Sequence, residues 1–252
     1  ELLACCSIVP VELGVGEHRV RGWQLTDAAT APVARRTGLF GRIMQALCDE
    51  AAGSDWLFGF PNALSRDGFA RAGFVVAGNV PLRVRPVISE GRSVAGVEPV
   101  ERFGTAQDEL AARLVAKGNL TTVRSAAYLN WRYVQHPFFR YQSFQLRREG
   151  RADGVLVLSR SEARGRASLW VMELVAVDDE GARELARHAR YLARSQGCGV
   201  LLAMTNAQLP GTWRLPGWLS PKRHMLMGRT GGAPASGEPA PWDVQTGDWD
   251  AF

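Results

Sequence analysis

The 252-residue sequence has few residues suited to metal or redox chemistry: four cysteines and four histidines. Cys5, Cys6, Cys48 and Cys198 show none of the spaced pairs of a zinc site, and adjacent Cys5 and Cys6 point to opposite faces of a strand. Buried free thiols are expected. His18, His136, His188 and His224 stand apart from one another and from acidic clusters, so no metal is expected. No apolar run approaches the ~20 residues that span a bilayer, and no charged-then-apolar leader precedes residue 20. A cytoplasmic protein without a membrane partner is the expectation. Runs of one charge are missing too. The net charge of +5 suits a polyanionic ligand, but the arginines are scattered, so nucleic acid is not demanded. All four tyrosines, Tyr128, Tyr133, Tyr141 and Tyr191, fall in the second half. With 46% hydrophobic and 22% charged residues the chain can bury a real core, as one large domain or two small ones.

The chain is organised around Trp23 to Asn62: a strand WQLTDAAT, a turn APVARRTG, an amphipathic helix LFGRIMQALCDEAAG and a second apolar strand WLFGFPN. Arg35, Arg36, Thr37, Gly38, Leu39, Phe40 and Gly41 lie where strand gives way to helix. Backbone N–H groups and two guanidinium groups therefore converge on one helix N-terminus, which is an anion site. Gly38 can take backbone angles that a side chain forbids, and a position without Cβ lets a diphosphate lie against the main chain. The expected ligand carries phosphate.

This stretch resembles the acyl-coenzyme A binding motif of the GNAT superfamily of N-acyltransferases, [QR]-x-x-G-x-[GA] between a strand and a helix. Arg35, Gly38 and Phe40 occupy its positions, with Gly41 one residue late. Thr30-Ala31-Pro32, Phe60-Pro61-Asn62 and Gly73-Phe74 stand in the family's order around it, so the resemblance covers roughly residues 3 to 88. It implies an α/β (α+β) fold with mixed, largely antiparallel sheets and flanking helices. It also implies acetyl-CoA or another acyl-CoA as co-substrate, held by residues 35–41 and Asn62. In that family a strand and one or two helices precede the hairpin formed here by LLACCSIVPVELG and HRVRGWQLTDA about Gly14-Val15-Gly16-Glu17; those elements are not in this sequence. Many members carry a tyrosine that protonates the departing thiolate, and aligned from Gly73-Phe74 that position is Phe69.

Residues 87–96 read as a linker, and ALSRDGFARAGF before them as a short helix followed by a strand interrupted at Gly78 and Pro81. Beyond the linker come a helix TAQDELAARLVAKGN, a helix SAAYLNWRYVQHP, a hairpin about Gly150 to Gly154, a strand ASLWVMELVAVD, a helix DEGARELARHARYLARSQG and a strand CGVLLAMTN. The order hairpin, strand, helix, strand echoes the first half and resembles tandem GNAT chains. Asp178-Asp179-Glu180 stands where the first half has Arg35-Arg36, so the second half should bind no coenzyme. The expected division is 1–88 for a coenzyme-binding half, 97–229 for a second half, and 230–252 for a flexible spacer and tail anchored by Trp242 and Trp249, with Asp248 and Asp250 solvated.

The implied reaction is attack of an amine on a thioester, which requires a base because an alkylamine with pKa near ~10.4 is mostly ammonium at neutral pH. Asp27 is the carboxylate on the strand entering the coenzyme turn and is the candidate base; its alternative is a local backbone or arginine contact. Asn62 could bond the pantetheine arm or simply cap the next helix. Tyr128, Trp131, Arg132 and Gln135 share one helix face, either as core or as an aromatic wall of the acceptor pocket. Three functions fit: an acyl-CoA-dependent N-acyltransferase for a small amine or amino sugar, an aminoacyl-tRNA-dependent transferase, and a non-catalytic acyl-CoA binder.

Overall fold

A computed structural model describes residues 2–51, 53–54, 56–88, 92–163, 165–207, 209–210, 223–230 and 242–248. The expected spacer 231–241 lies outside them, as do Trp249 and Asp250. The first half is a long antiparallel hairpin, β1 (Ala4–Val15) and β2 (His18–Thr30), followed by α1 (Leu39–Glu50), β3 (Trp56–Gly59), α2 (Arg66–Arg71) and β4 (Val75–Pro86). After β5 (Val97–Pro99), α3 (Thr105–Val115), β6 (Leu120–Thr122) and α4 (Ala126–Leu129) come β7 (Tyr141–Arg148), β8 (Arg151–Ala163), β9 (Arg166–Ala176), α5 (Asp179–Ser195) and β10 (Val200–Met204). β11 (Arg223–Thr230) and the two-residue β12 (Trp242–Asp243) close the described chain.

The halves repeat one unit. In the first, hairpin β1–β2 leads through α1 into β3, which runs parallel to β2; in the second, hairpin β8–β9 leads through α5 into β10, parallel to β9. The twelve strands of the described residues form one sheet in the order β12-β6-β1-β2-β3-β11-β4-β10-β9-β8-β7-β5. β11 lies beside β3 and β4, and β4 bonds β11 along residues 75–81 and β10 along residues 82–86. Gly78 and Pro81 therefore do not interrupt β4. Its two edges are used in succession, and Pro81, with no N–H to give, sits where one pairing ends and the other begins.

Side-chain periodicity explains the layers. In β8, Leu156 and Leu158 face α5 while Val155 and Val157 face α3 and α4, so the run GVLVL is buried on both sides. In β2, Trp23 and Leu25 pack under α1 and α2, while Gln24 and Thr26 face the opposite side. Helix α1 turns Met44 and Cys48 inward at a spacing of four. Cys198 is also buried, but Cys5 is exposed and Cys6 half-buried, contrary to the expectation for the thiols. They sit near the open end of the β1–β2 hairpin. The β7–β8 turn is Glu149-Gly150 alone, both at positive φ, so Arg151 to Gly154 belong to the strand.

Candidate functional site

The first component of the site is a gap in the sheet. Parallel pairing of β2 with β3 ends at Leu25 opposite Gly59; β2 runs on to Thr30 while β3 leaves at Phe60. Thr26 to Thr30 thus keep one edge on β1 and, among the described residues, offer the other to no strand. Within this stretch one residue of β1, Cys6, opposes two of β2, Asp27 and Ala28. Asp27 sits at this bulge with φ 51°, a left-handed conformation that aspartate tolerates better than most residues, and it is exposed.

At the mouth of the gap the chain makes a 3-10 turn (Pro32–Ala34), bonds Thr37 Oγ1 to the carbonyl of Ala34 at 2.7 Å, and enters α1 through Gly38 at φ 80°. Arg36 also lies at positive φ, 66°. With glycine at the N-cap, no side chain caps α1, and the N–H groups of Leu39, Phe40 and Gly41 precede the first intrahelical donor, that of Arg42. A Cβ built on Gly38 or Gly41 would meet nothing within 4 Å. No internal packing demands glycine at 41, where alanine would favour the helix by about 1 kcal/mol. Both positions leave backbone open, as the approach of a diphosphate requires. Arg35 and Arg36 are exposed beside it, Arg35 reaching the Thr30 carbonyl at 3.4 Å. The side chains of Leu39 and Phe40 are half-buried, that of Phe40 against Gly68 of α2, so what they offer the site is backbone. Asn62 Oδ1 accepts from the N–H groups of Leu64 and Ser65 and holds the turn into α2, leaving its amide nitrogen for another partner.

The opposite side of β2 carries a buried polar network that the sequence reading did not anticipate. Arg124, wholly buried, donates to Glu173 at 2.6 Å, to Asp248 at 2.7 Å, to Thr121 Oγ1 at 2.7 Å and to the Thr122 carbonyl at 2.8 Å. Tyr133 donates to Glu173 at 2.6 Å, and Gln24 of β2 donates to the Asp248 carbonyl at 2.7 Å. Burial works against the Arg124 charge, yet Asp248 and Glu173 hold its pKa above the ordinary value; burial pushes Glu173 up, against the pull of Arg124. Burial, with Asp248 and Glu173 nearby, also raises Tyr128, so its phenol stays protonated. Asp248 is therefore not solvated as expected: the 3-10 turn Thr246–Asp248 is pressed so close to Tyr133 and Glu173 that only glycine fits at 247, where a Cβ would lie 1.7 Å from the tyrosine oxygen. One sequence signal existed. Glu173 stands between Met172 and Leu174 in the otherwise apolar run LWVMELVA, and a carboxylate so placed needs a buried partner.

Of the residues read as an acceptor wall, Tyr128 lies beside this network, Arg132 donates to the Gly247 carbonyl at 3.3 Å, and Trp131 is 52% exposed. The expected single helix is a short α4 followed by a π turn, Asn130–Val134. Asn130 exchanges two hydrogen bonds with the Phe103 backbone, which holds that turn in place. Phe69, at the family's tyrosine position, is 3% exposed and packs against Gly59 and Phe74.

Solved structures with this architecture decide the fold. The chain superposes on a GCN5-related N-acetyltransferase from Anabaena variabilis ATCC 29413 with a TM-score of 0.70 and 16% identity, over 90% of this chain and 59% of the other. The fold is that of the GNAT superfamily. A second GNAT protein, from Kribbella flavida, matches over 91% of this chain and 57% of its own, with TM-score 0.64 and 18% identity. Saccharomyces cerevisiae N-myristoyltransferase with bound myristoyl-CoA matches over 90% and 63%, with TM-score 0.64 and 12% identity. The chain thus spans about three fifths of the length of these GNAT-fold neighbours. No protein-family model matches the sequence, and no curated protein matches it. Among the described residues no helix is long and apolar enough to cross a membrane, and no group of histidine, cysteine or acidic side chains could hold a metal ion.

Proposed function

We propose that the chain is an acyl-CoA-dependent N-acyltransferase, with acetyl-CoA as donor and a primary amine of a small molecule or amino sugar as acceptor. The observation that carries this reading is the uncapped, side-chain-free entry of α1 at Gly38, set at the mouth of the β2–β3 gap. The N–H groups of Leu39, Phe40 and Gly41 would hold the diphosphate, with Arg35 and Arg36 adding charge. The open edge of Thr26–Thr30 would bond the amides of the pantetheine arm as a strand would, and Asn62 has an amide nitrogen to give from the other side. This leaves the thioester at the bulge. There Asp27 would take a proton from the acceptor ammonium; nitrogen attacks the carbonyl carbon, the C–N bond forms, the C–S bond breaks, and the thiolate leaves with its electron pair. With phenylalanine at 69, water relays to the thiolate the second proton, which the nitrogen sheds as the amide forms.

Calorimetry with acetyl-CoA tests the reading. Gly38→Asp places a side chain and a negative charge in the cradle and should weaken binding more than tenfold, at least ~1.4 kcal/mol. Affinity in the parent excludes the aminoacyl-tRNA-dependent alternative. Unchanged affinity in a folded Gly38→Asp variant would move the anion site elsewhere. The buried Phe69 favours one second reading, a non-catalytic acyl-CoA binder, which coenzyme affinity without turnover on any amine would establish.

A further inference from the structure

Two buried oxygens on the side of β2 away from α1 have no hydrogen-bond partner among the described residues. Thr26 is 7% exposed and Asp248 2%, and neither Thr26 Oγ1 nor Asp248 Oδ1 has a donor. Buried oxygens without donors are rare, since each costs about 1–3 kcal/mol. They also belong together. Gln24 and Thr26 are neighbours on one face of β2, and Gln24 ties the main chain of Asp248 to that face at 2.7 Å. Asp248 is held rigidly from behind: its Oδ2 accepts from Arg124 and from the backbone N–H of Gln245 at 2.8 Å, which leaves Oδ1 as its free acceptor. Thr26 directly precedes the bulge residue Asp27, the place assigned to the thioester.

We infer that Thr26 Oγ1 and Asp248 Oδ1 bind the amino group of the acceptor, which approaches from the face of β2 opposite α1. The fate of the bound amine rests on the acyltransferase reading, but the amine site itself does not. Both groups accept hydrogen bonds, one of them with a negative charge, and a primary ammonium offers three N–H donors. Two donors fixed by these oxygens leave the third as the proton to be lost before attack. A quaternary ammonium of the same charge has no N–H to offer and is excluded.

Thermal unfolding of the full chain in n-propylammonium chloride, against tetramethylammonium chloride at equal ionic strength, tests this. Propylammonium should raise Tm and tetramethylammonium should not. Thr26→Val is the decisive variant: it removes a hydroxyl that bonds nothing, so the unliganded protein keeps or gains stability, while propylammonium affinity should fall about threefold to tenfold. Asp248→Asn should lose the shift as well; if loss of its ion pair unfolds that variant, Thr26→Val still decides. Equal shifts from both salts, no shift in the parent, or a full propylammonium shift in Thr26→Val would overturn the inference. Acetyl-CoA calorimetry on the same samples separates the two ideas. A shift that depends on Thr26 without coenzyme affinity keeps the amine site and removes the transferase, and coenzyme affinity with a shift independent of Thr26 does the reverse.

Discussion

Asp27 holds a left-handed backbone at φ 51°, a conformation that costs a non-glycine residue of order 1 kcal/mol and is kept by its surroundings. Here the surroundings are the two-against-one pairing with Cys6, which turns the strand just where its β3 partner ends. Asparagine tolerates the same backbone, so Asp27→Asn isolates the carboxylate. Turnover of acetyl-CoA with an amine should fall roughly 10²-fold while coenzyme affinity is kept; a change in affinity with turnover intact would assign Asp27 a structural role. In the buried network the contrasting test is Tyr133→Phe. Its hydroxyl satisfies Glu173 Oε1 at 2.6 Å, and burial holds that phenol's pKa far above its ordinary value. Removing it leaves a fully buried carboxylate oxygen without its donor, and urea unfolding should show a loss of about 1–3 kcal/mol.

At the scale of elements, the two equivalent helices begin in opposite ways. Helix α1 enters through a bare glycine, whereas α5 is capped by its own chain, Asp178 Oδ1 accepting from the Gly181 N–H at 2.6 Å and Arg148 pairing with Asp178 and Glu184. The Gly181 bond and Arg148 hold the Asp178 pKa below its usual 3.8. A depressed folded value adds stability that is present above the unfolded pKa and lost as pH falls through the folded one. Asp178→Asn keeps a capping oxygen but not the charge, so its Tm should lie below the parent's at neutral pH, and the gap should close below pH 3.8. This contrast was legible in the sequence, because Arg35-Arg36-Thr37-Gly38 against Asp178-Asp179-Glu180-Gly181 is local chemistry at helix ends. The β2–α1–β3 unit was legible for the same reason: periodicity switches from two to 3.6 and back within forty residues. What escaped was non-local. β5, β6 and β12 have two or three residues each, too few for a period; the bulge at Asp27 is a matter of register with β1; and Asp248 reads as a tail carboxylate until Arg124 and Gln24, more than a hundred residues away, are seen to hold it.

At the scale of the molecule, the repeat has two gaps of the same kind, and the chain treats them differently. Pairing of β9 with β10 ends at Trp170 opposite Leu202, as pairing of β2 with β3 ends at Leu25 opposite Gly59. In the second half residues 242–248 bond the strands beyond that point. Gln245 Oε1 accepts from the Leu174 N–H at 3.4 Å, Thr246 Oγ1 from the Met204 N–H at 2.8 Å, and the Val244 carbonyl from Thr205 Oγ1 at 2.6 Å, while Asn206 bonds Val244 and Trp242. The polar edge that a pantetheine arm would use in the second half is thereby satisfied from within, and Asp178-Asp179-Glu180 repels a diphosphate at its mouth. In the first half the corresponding edge, Thr26–Thr30, has no strand among the described residues, and no side chain caps the helix entry. The same segment also packs Trp242 on Phe58 and Trp56 of the first half, with ring centroids 4.5 and 6.3 Å apart, so displacing it would cost both halves. Acetyl-CoA titrated by calorimetry should therefore bind once per chain, and Gly38→Asp should weaken that single event more than tenfold rather than reveal a second one. Two sites per chain, or one that survives Gly38→Asp and is lost when Asp178 is changed, would place the coenzyme in the wrong half.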